Sequence, residues 1–140
     1  MRANLFRYAG VYIAVALTLS LVTWLLAAFA GFSLPTGLST VLPPILAALV
    51  EGQCVARATR APLVGSEAWG TALRMTAVVA AINLVVLIGA LLFSPELNNP
   101  QALGIIGGVF VVLLVLVLLV NRVFYAMGVK SQLKALEAGK

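Results

Sequence analysis

Apolar residues gather in four long stretches along the chain, separated by short segments rich in proline, glycine and charge. A helix needs ~20 apolar residues to cross the ~30 Å of hydrocarbon in a bilayer, and each stretch is about that long. We therefore predict an all-α membrane protein with four transmembrane helices in an antiparallel bundle, forming a single transmembrane domain over residues 1–140. The predicted spans are residues 8–32, 36–57, 71–93 and 103–121, followed by a tail of residues 122–140.

The composition supports lipid as the solvent for most of this chain. Hydrophobic residues make up 63% of it and charged residues only 9%, whereas about a quarter of the residues of a soluble domain are charged. A soluble fold of this size could not bury so much apolar surface.

The second stretch is the least regular of the four. Pro43 and Pro44 remove two backbone donors and disfavour a straight helix, so we expect a helix that is kinked or broken near these prolines. Alternatively, Pro43 begins the helix, and residues 33–42 form a re-entrant or interfacial segment. The sequence leaves both arrangements open.

The basic residues indicate how the chain crosses the membrane. With four crossings, all nine lysines and arginines fall on one side. The positive-inside rule then predicts a multi-pass protein of the bacterial inner membrane with both termini in the cytoplasm. The tail carries an apolar stripe, so it reads either as a short C-terminal interfacial helix or as a solvated extension of the fourth span.

Glu51 is the carboxylate that lies inside an apolar stretch. A charge at this depth must pair, take a proton or attract water. Arg74, at the start of the third span, is the expected partner, because Arg57 points to another side of the helix. Glu51 then has one of three roles. It links the second and third spans through an ion pair, it carries a proton in transport or, if the span ends at Val50, it is an exposed residue. Gln53 belongs to the same candidate polar site.

Asn83 and two glycines are further candidates for contacts between helices. Asn83 lies in the middle of the third span, where its amide would form an interhelical hydrogen bond or line a polar path. Gly104 and Gly108 open the fourth span with the spacing that lets helices approach closely. We expect them to be helix-packing positions.

The inventory of reactive side chains disfavours an enzyme. The chain has no histidine, one cysteine and four acidic residues, all of them glutamates scattered along the chain. This excludes histidine-ligated metal sites and internal disulfides. We therefore predict no catalytic residue, no metal site and no cofactor. The net charge is +5, and the basic residues flank the apolar runs. This placement favours lipid headgroups over nucleic acid as the partner.

Two short motifs carry a family resemblance: "EGQCVARATRAP" ends the second span and "EAWGTALRM" opens the third. With four short spans, the chain resembles a family of small, functionally uncharacterised four-helix inner-membrane proteins of proteobacteria. The resemblance implies that architecture but no activity, and it draws attention to Glu51, Gly52, Gln53 and Glu67. Compact four-helix multidrug exporters are similar in size, but they place a glutamate in the first helix, where this chain has none.

The leading functional prediction is a non-enzymatic structural or accessory protein. It would act by helix packing, either as a homo-oligomer or within a larger membrane complex. One alternative is a small proton-coupled transporter that uses Glu51. Another is a lipid- or polypeptide-binding assembly or immunity factor. Membrane lipids are expected partners in every case.

Overall fold

The computed structural model describes residues 3–31, 36–97 and 99–139. These residues form four long helices: α1 (Leu5–Ala30), α2 (Thr36–Thr59), α3 (Gly65–Phe93) and α4 (Pro100–Ala138), with a short 3₁₀ turn at Pro95–Leu97. All four are long and apolar enough to cross a membrane. The prediction of an all-helical protein with four helices long and apolar enough to cross a membrane is confirmed. Phe32, the predicted end of the first span, lies outside the described residues.

Local sequence explains where two of the helices begin. The Asn4 side chain accepts hydrogen bonds from the backbone N–H groups of Phe6 and Arg7 at the start of α1. Asn99 does the same for Ala102 at the start of α4, where Pro100 occupies the first helical position. Such caps satisfy backbone donors that have no partner within the helix. Gly31 ends α1 in the left-handed conformation, with a φ of 63°, which costs glycine little.

The two prolines do not break α2. The helix is continuous from Thr36 to Thr59, with Pro43 and Pro44 inside it and both side chains buried. Membrane helices tolerate internal proline when neighbouring helices pack around the freed carbonyl groups. The predicted break is therefore wrong, and residues 36–42 are part of α2, not a separate re-entrant segment. A bend at the prolines stays a prediction.

The tail continues α4 as a single helix. Pro100–Ala138 contains 39 residues, which corresponds to ~58 Å at 1.5 Å per residue. That length is almost twice the hydrocarbon thickness of a bilayer. The residues after the apolar run are mostly good helix formers, and no proline interrupts them before Gly139. The expected separate interfacial helix is therefore an extension of α4.

The closest helix contact joins α2 to α4 at two glycines. A Cβ atom added to Gly128 would lie 2.5 Å from the carbonyl oxygen of Leu49, and one added to Gly52 would overlap the carbonyl oxygen of Tyr125. Small residues let helix backbones approach in lipid. By contrast, no atom lies within 4 Å of a Cβ added to Gly104 or Gly108. Among the described residues, no neighbouring helix packs against these two predicted packing glycines.

Apart from Pro43 and Pro44, the buried residues of the described segments lie towards one end of the helices. This region, called here the tied end, comprises residues 4–12 of α1, 47–59 of α2, 65–79 of α3 and 117–129 of α4. Its core includes Tyr8, Ala47, Ala48, Val55, Ala56, Met75, Tyr125 and Val129. The cleft end comprises residues 13–30 of α1, 36–46 of α2, 80–93 of α3 and 100–116 of α4, and residues 130–138 of α4 form the extension beyond the tied end.

Candidate functional site

Glu51 lies at the tied end, where its side chain is fully buried, with 0% exposed. The Nε atom of Arg7 donates to Oε2 at 2.7 Å, and Nη2 donates to Oε1 at 3.0 Å. The backbone N–H of Asn4 also donates to Oε1, at 2.6 Å. A two-pronged guanidinium contact is the strongest form of carboxylate pairing. The Arg7 guanidinium and the Asn4 backbone N–H therefore both stabilise the Glu51 carboxylate inside the bundle.

The partner predicted from the sequence, Arg74, is wrong. Arg74 is exposed on α3, whereas Arg7, in the first turn of α1, makes the ion pair. From the sequence, Arg7 is expected at the lipid headgroups with the other flanking cations. Arg7 lies at the start of the first predicted span and Arg74 at the start of the third, so the four-span prediction puts both at the same side of the membrane as the end of the second span. Gln53 is half-buried on α2 and does not belong to this pair.

A second polar group joins three helices beside the ion pair. The Tyr8 hydroxyl donates to Asn121 Oδ1 at 2.8 Å, and Asn121 Nδ2 donates to Thr76 Oγ1 at 3.1 Å. Tyr8 and Asn121 are completely buried. Asn121 is not among the site residues predicted from the sequence, although it follows directly on the apolar run of α4. In lipid, such hydrogen bonds are each worth ~0.6 kcal/mol on average, so this group fixes register more than it adds stability.

Asn83 links α3 to α1 nearer the middle of the bundle. Its Nδ2 donates to the Tyr12 hydroxyl at 2.9 Å and to the Val79 carbonyl, one turn earlier, at 2.8 Å. This is the interhelical hydrogen bond that the sequence predicts for Asn83. The same side chain also lines a cavity, so the two expectations for Asn83 are compatible.

That cavity, called here the central cleft, has a volume of about 420 Å³ and receives residues from all four helices. Tyr12, Val79 and Val117, at the edge of the buried core, form its wall towards the tied end. Most of the remaining wall is aliphatic or aromatic, with hydroxyl-bearing residues at Ser20, Ser39 and Thr40. The volume lies within the ~300–1,000 Å³ that is usual for sites of small molecules.

Glu51 and the central cleft are separate features. Neither Glu51 nor Arg7 lines the cleft, and both lie with the residues of the tied end. Of the predicted site residues, the structure therefore brings only Asn83 into the cleft, while Gln53 and Arg74 remain apart from it.

No family model, no curated protein and no solved structure matches this chain. The resemblance carried by the motifs around Glu51 and Glu67 therefore stays a prediction. Function is therefore inferred from the geometry of the ion pair, the hydrogen-bonded groups and the central cleft.

Proposed function

We propose that this chain is a non-enzymatic accessory membrane protein that holds the acyl chain of a membrane lipid in its central cleft. The observation that carries this proposal is the cleft itself, about 420 Å³ in volume and mainly apolar. At the ~30 Å³ that a water molecule occupies in the liquid, this space would take about 14 heavy atoms. That is the size of a substantial part of an acyl chain.

The surroundings of the cleft favour hydrocarbon as its occupant. Long stretches of α1, α3 and α4 around it are apolar and exposed, so lipid is the medium from which a ligand would enter. The amide hydrogens of Asn83 are already donated within the chain. A wall whose main polar donor is satisfied suits a hydrocarbon chain better than a strongly polar solute.

Photo-crosslinking tests the proposal. The full chain in mild detergent would be labelled with a phosphatidylcholine that carries a photoreactive group in its acyl chain. Ala16 lines the cleft, so Ala16→Phe should fill part of it. Loss of contact with two methylenes, at ~0.8 kcal/mol each, corresponds to at least about tenfold weaker labelling.

Ala14→Phe is the matched control, because Ala14 is exposed on the same helix and does not line the cleft. We expect label on cleft residues in the parent protein and in Ala14→Phe. Uniform label along the exposed faces of α1 and α4, unchanged in Ala16→Phe, would exclude the cleft as a lipid site.

Helix packing between copies is the second candidate function, and a specific observation favours it. Gly104, Gly107 and Gly108 lie near the start of α4 with open space around them. Glycines spaced in this way let two membrane helices approach each other. A second copy of the chain would cover them. Gly108→Leu tests this role through the oligomeric state of the protein.

The proton-carrier hypothesis for Glu51 has less support. Its carboxylate already accepts three hydrogen bonds, two of them from a guanidinium. A carrier would have to exchange these donors for a proton in each cycle. A structural tie between α1 and α2 requires no such change.

We further propose that the helices cross the bacterial inner membrane antiparallel to one another, with the tied end and both termini at the cytoplasmic face. The described cations support this orientation, because each of them belongs to the tied end, to the α2–α3 connection beside it or to the extension of α4. Arg2 and Lys140 lie outside the described residues. A reporter fused after Lys140 should signal from the cytoplasm, and a periplasmic signal would reverse the proposal.

A further inference from the structure

A second cavity lies at the tied end, on the side of the bundle where α4 passes the start of α3. It has a volume of about 290 Å³ and lies between the α2–α3 connection and the two helices. Arg122 and Lys130 contribute to its wall, together with Leu63, Gly65 and Leu133. The wall contains no carboxylate among the described residues. We call this cavity the basic pocket.

Arg122 is held in place at the basic pocket without using all of its hydrogen-bonding capacity. Its guanidinium carbon lies 5.4 Å from the centre of the Trp69 ring, a favourable cation–π distance. Its Nε atom is buried and has no hydrogen-bond partner among the described residues. A buried donor without a partner is costly, so this N–H suits an acceptor supplied from outside the chain.

The basic pocket lies at the depth of lipid headgroups. Arg122 comes two residues after the end of the apolar run of α4 at Val120. Trp69 is half exposed, at 49%, as is usual for an indole at a membrane–water interface. Lys130 is eight residues further along α4, or ~12 Å, and is exposed. The two cations therefore flank a position at the membrane surface.

We propose that the basic pocket binds the phosphate group of an anionic phospholipid. Arg122 would donate to the phosphate oxygens, and Lys130 would neutralise the net charge of the headgroup. Basic pockets between membrane helices are suited to anionic headgroups. The apolar members of the wall, Leu63 and Leu133, favour a phosphate attached to a lipid over free phosphate. This site is separate from the central cleft, so neither proposal depends on the other.

Native mass spectrometry of the full chain tests this site. Protein in mild detergent would be titrated with phosphatidylglycerol and, separately, with phosphatidylcholine, which has no net charge. We expect phosphatidylglycerol to be retained preferentially. Lys130→Gln should weaken its retention by about fivefold, the effect of removing one cation close to an anionic headgroup. Arg122→Gln should weaken retention further, because it removes the buried N–H as well as the charge.

Lys134→Gln is the matched control. Lys134 lies on the same helix and carries the same charge, but it does not line the pocket, so its loss should leave retention unchanged. Equal weakening by Lys130→Gln and Lys134→Gln would reduce the effect to general surface charge and overturn the site. Lys130 is exposed, so its replacement leaves the core intact even if Arg122→Gln unfolds the protein.

Competition with inorganic phosphate distinguishes a site for a phospholipid from a site for the free anion. We expect inorganic phosphate to leave phosphatidylglycerol bound. Displacement of the lipid by inorganic phosphate would overturn the lipid assignment and identify a site for the free anion. The variant Ala16→Phe, which alters the central cleft, should have no effect on retention of phosphatidylglycerol at the basic pocket.

Discussion

Two glycines of the same helix have opposite surroundings. Gly128 of α4 lies against the backbone of Leu49, whereas Gly108, twenty residues earlier, has no atom of another helix within reach of a Cβ. The residue type and the helix are the same. The two positions differ because the backbone of α2 lies close to α4 at Gly128, whereas no described residue of another helix lies close at Gly108. Close packing of α4 thus depends on the partner surface of α2 and cannot be read from glycine spacing alone.

The two ends of the bundle differ in the same way. The tied end contains the Glu51–Arg7 ion pair, the hydrogen bonds of Asn121 and the α2–α4 glycine contact. The cleft end contains the larger cavity and mostly exposed apolar side chains. The directional contacts at the tied end fix the order and register of the helices. The cleft end can therefore remain less tightly packed without loss of the fold.

The largest expected effect comes from filling the glycine contact. Gly128→Leu places a side chain against the carbonyl of Leu49, where even a Cβ would be at 2.5 Å. We expect α2 and α4 to be forced apart, with a loss of about 3 kcal/mol or more, at the upper end of overpacking costs. Unfolding by SDS titration, followed by circular dichroism, measures this. Stability equal to that of the parent protein would contradict the close α2–α4 contact.

Breaking the ion pair should have the next largest effect. Arg7→Ala removes the guanidinium but leaves the fully buried Glu51 carboxylate. Removal of one partner from a fully buried pair costs ~3–5 kcal/mol. Because 41% of the Arg7 side chain is exposed, we expect a smaller loss of about 2 kcal/mol in the same SDS titration.

Further variants identify the cause of that loss. Glu51→Gln should cost less than Arg7→Ala, because Arg7 can turn to solvent whereas the Glu51 carboxylate cannot. Arg74→Ala should have almost no effect, since Arg74 is exposed. The double variant Arg7→Met, Glu51→Met should recover much of the stability, because apolar pairs often replace buried ion pairs well. Additive losses from Arg7→Ala and Glu51→Ala would contradict direct pairing.

A small effect on stability is expected at the cleft end, from the control for Gly128→Leu. Gly108→Leu meets open space and should change the unfolding free energy by less than about 1 kcal/mol, the scale of the propensity difference from glycine. The same variant tests helix packing between copies. A dimer of the parent protein in mild detergent that becomes a monomer in Gly108→Leu would support that role. An unchanged oligomeric state would remove these glycines from it.

The sequence predicted the number of long apolar helices, because the length of a hydrophobic run depends directly on bilayer thickness. It also identified Glu51 and Asn83 as polar positions inside the bundle. It could not identify Arg7 as the partner of Glu51, because every flanking cation satisfies the same rule of charge placement. Only the three-dimensional arrangement of α1 beside α2 distinguishes Arg7 from Arg74.

Other features were beyond reach for related reasons. The contact between Gly52 and Gly128 joins positions 76 residues apart, and no local pattern links them. The spacing of Gly104 and Gly108 is the more obvious motif, yet no helix in the described part of the chain packs against it. The length of α4 was underestimated because the apolar run ends at Val120, whereas helix propensity continues through the tail.

The unbroken course of α4 links movement at its two extremities. Gly128, where α4 crosses α2, is 28 residues from Pro100 and 10 residues from Ala138, or ~42 Å and ~15 Å. A tilt of α4 about this crossing would move Ala138 in the opposite direction to Pro100 and about one third as far. Separation of the helices around an occupant of the cleft would then be transmitted, reduced in size, to the opposite side of the membrane.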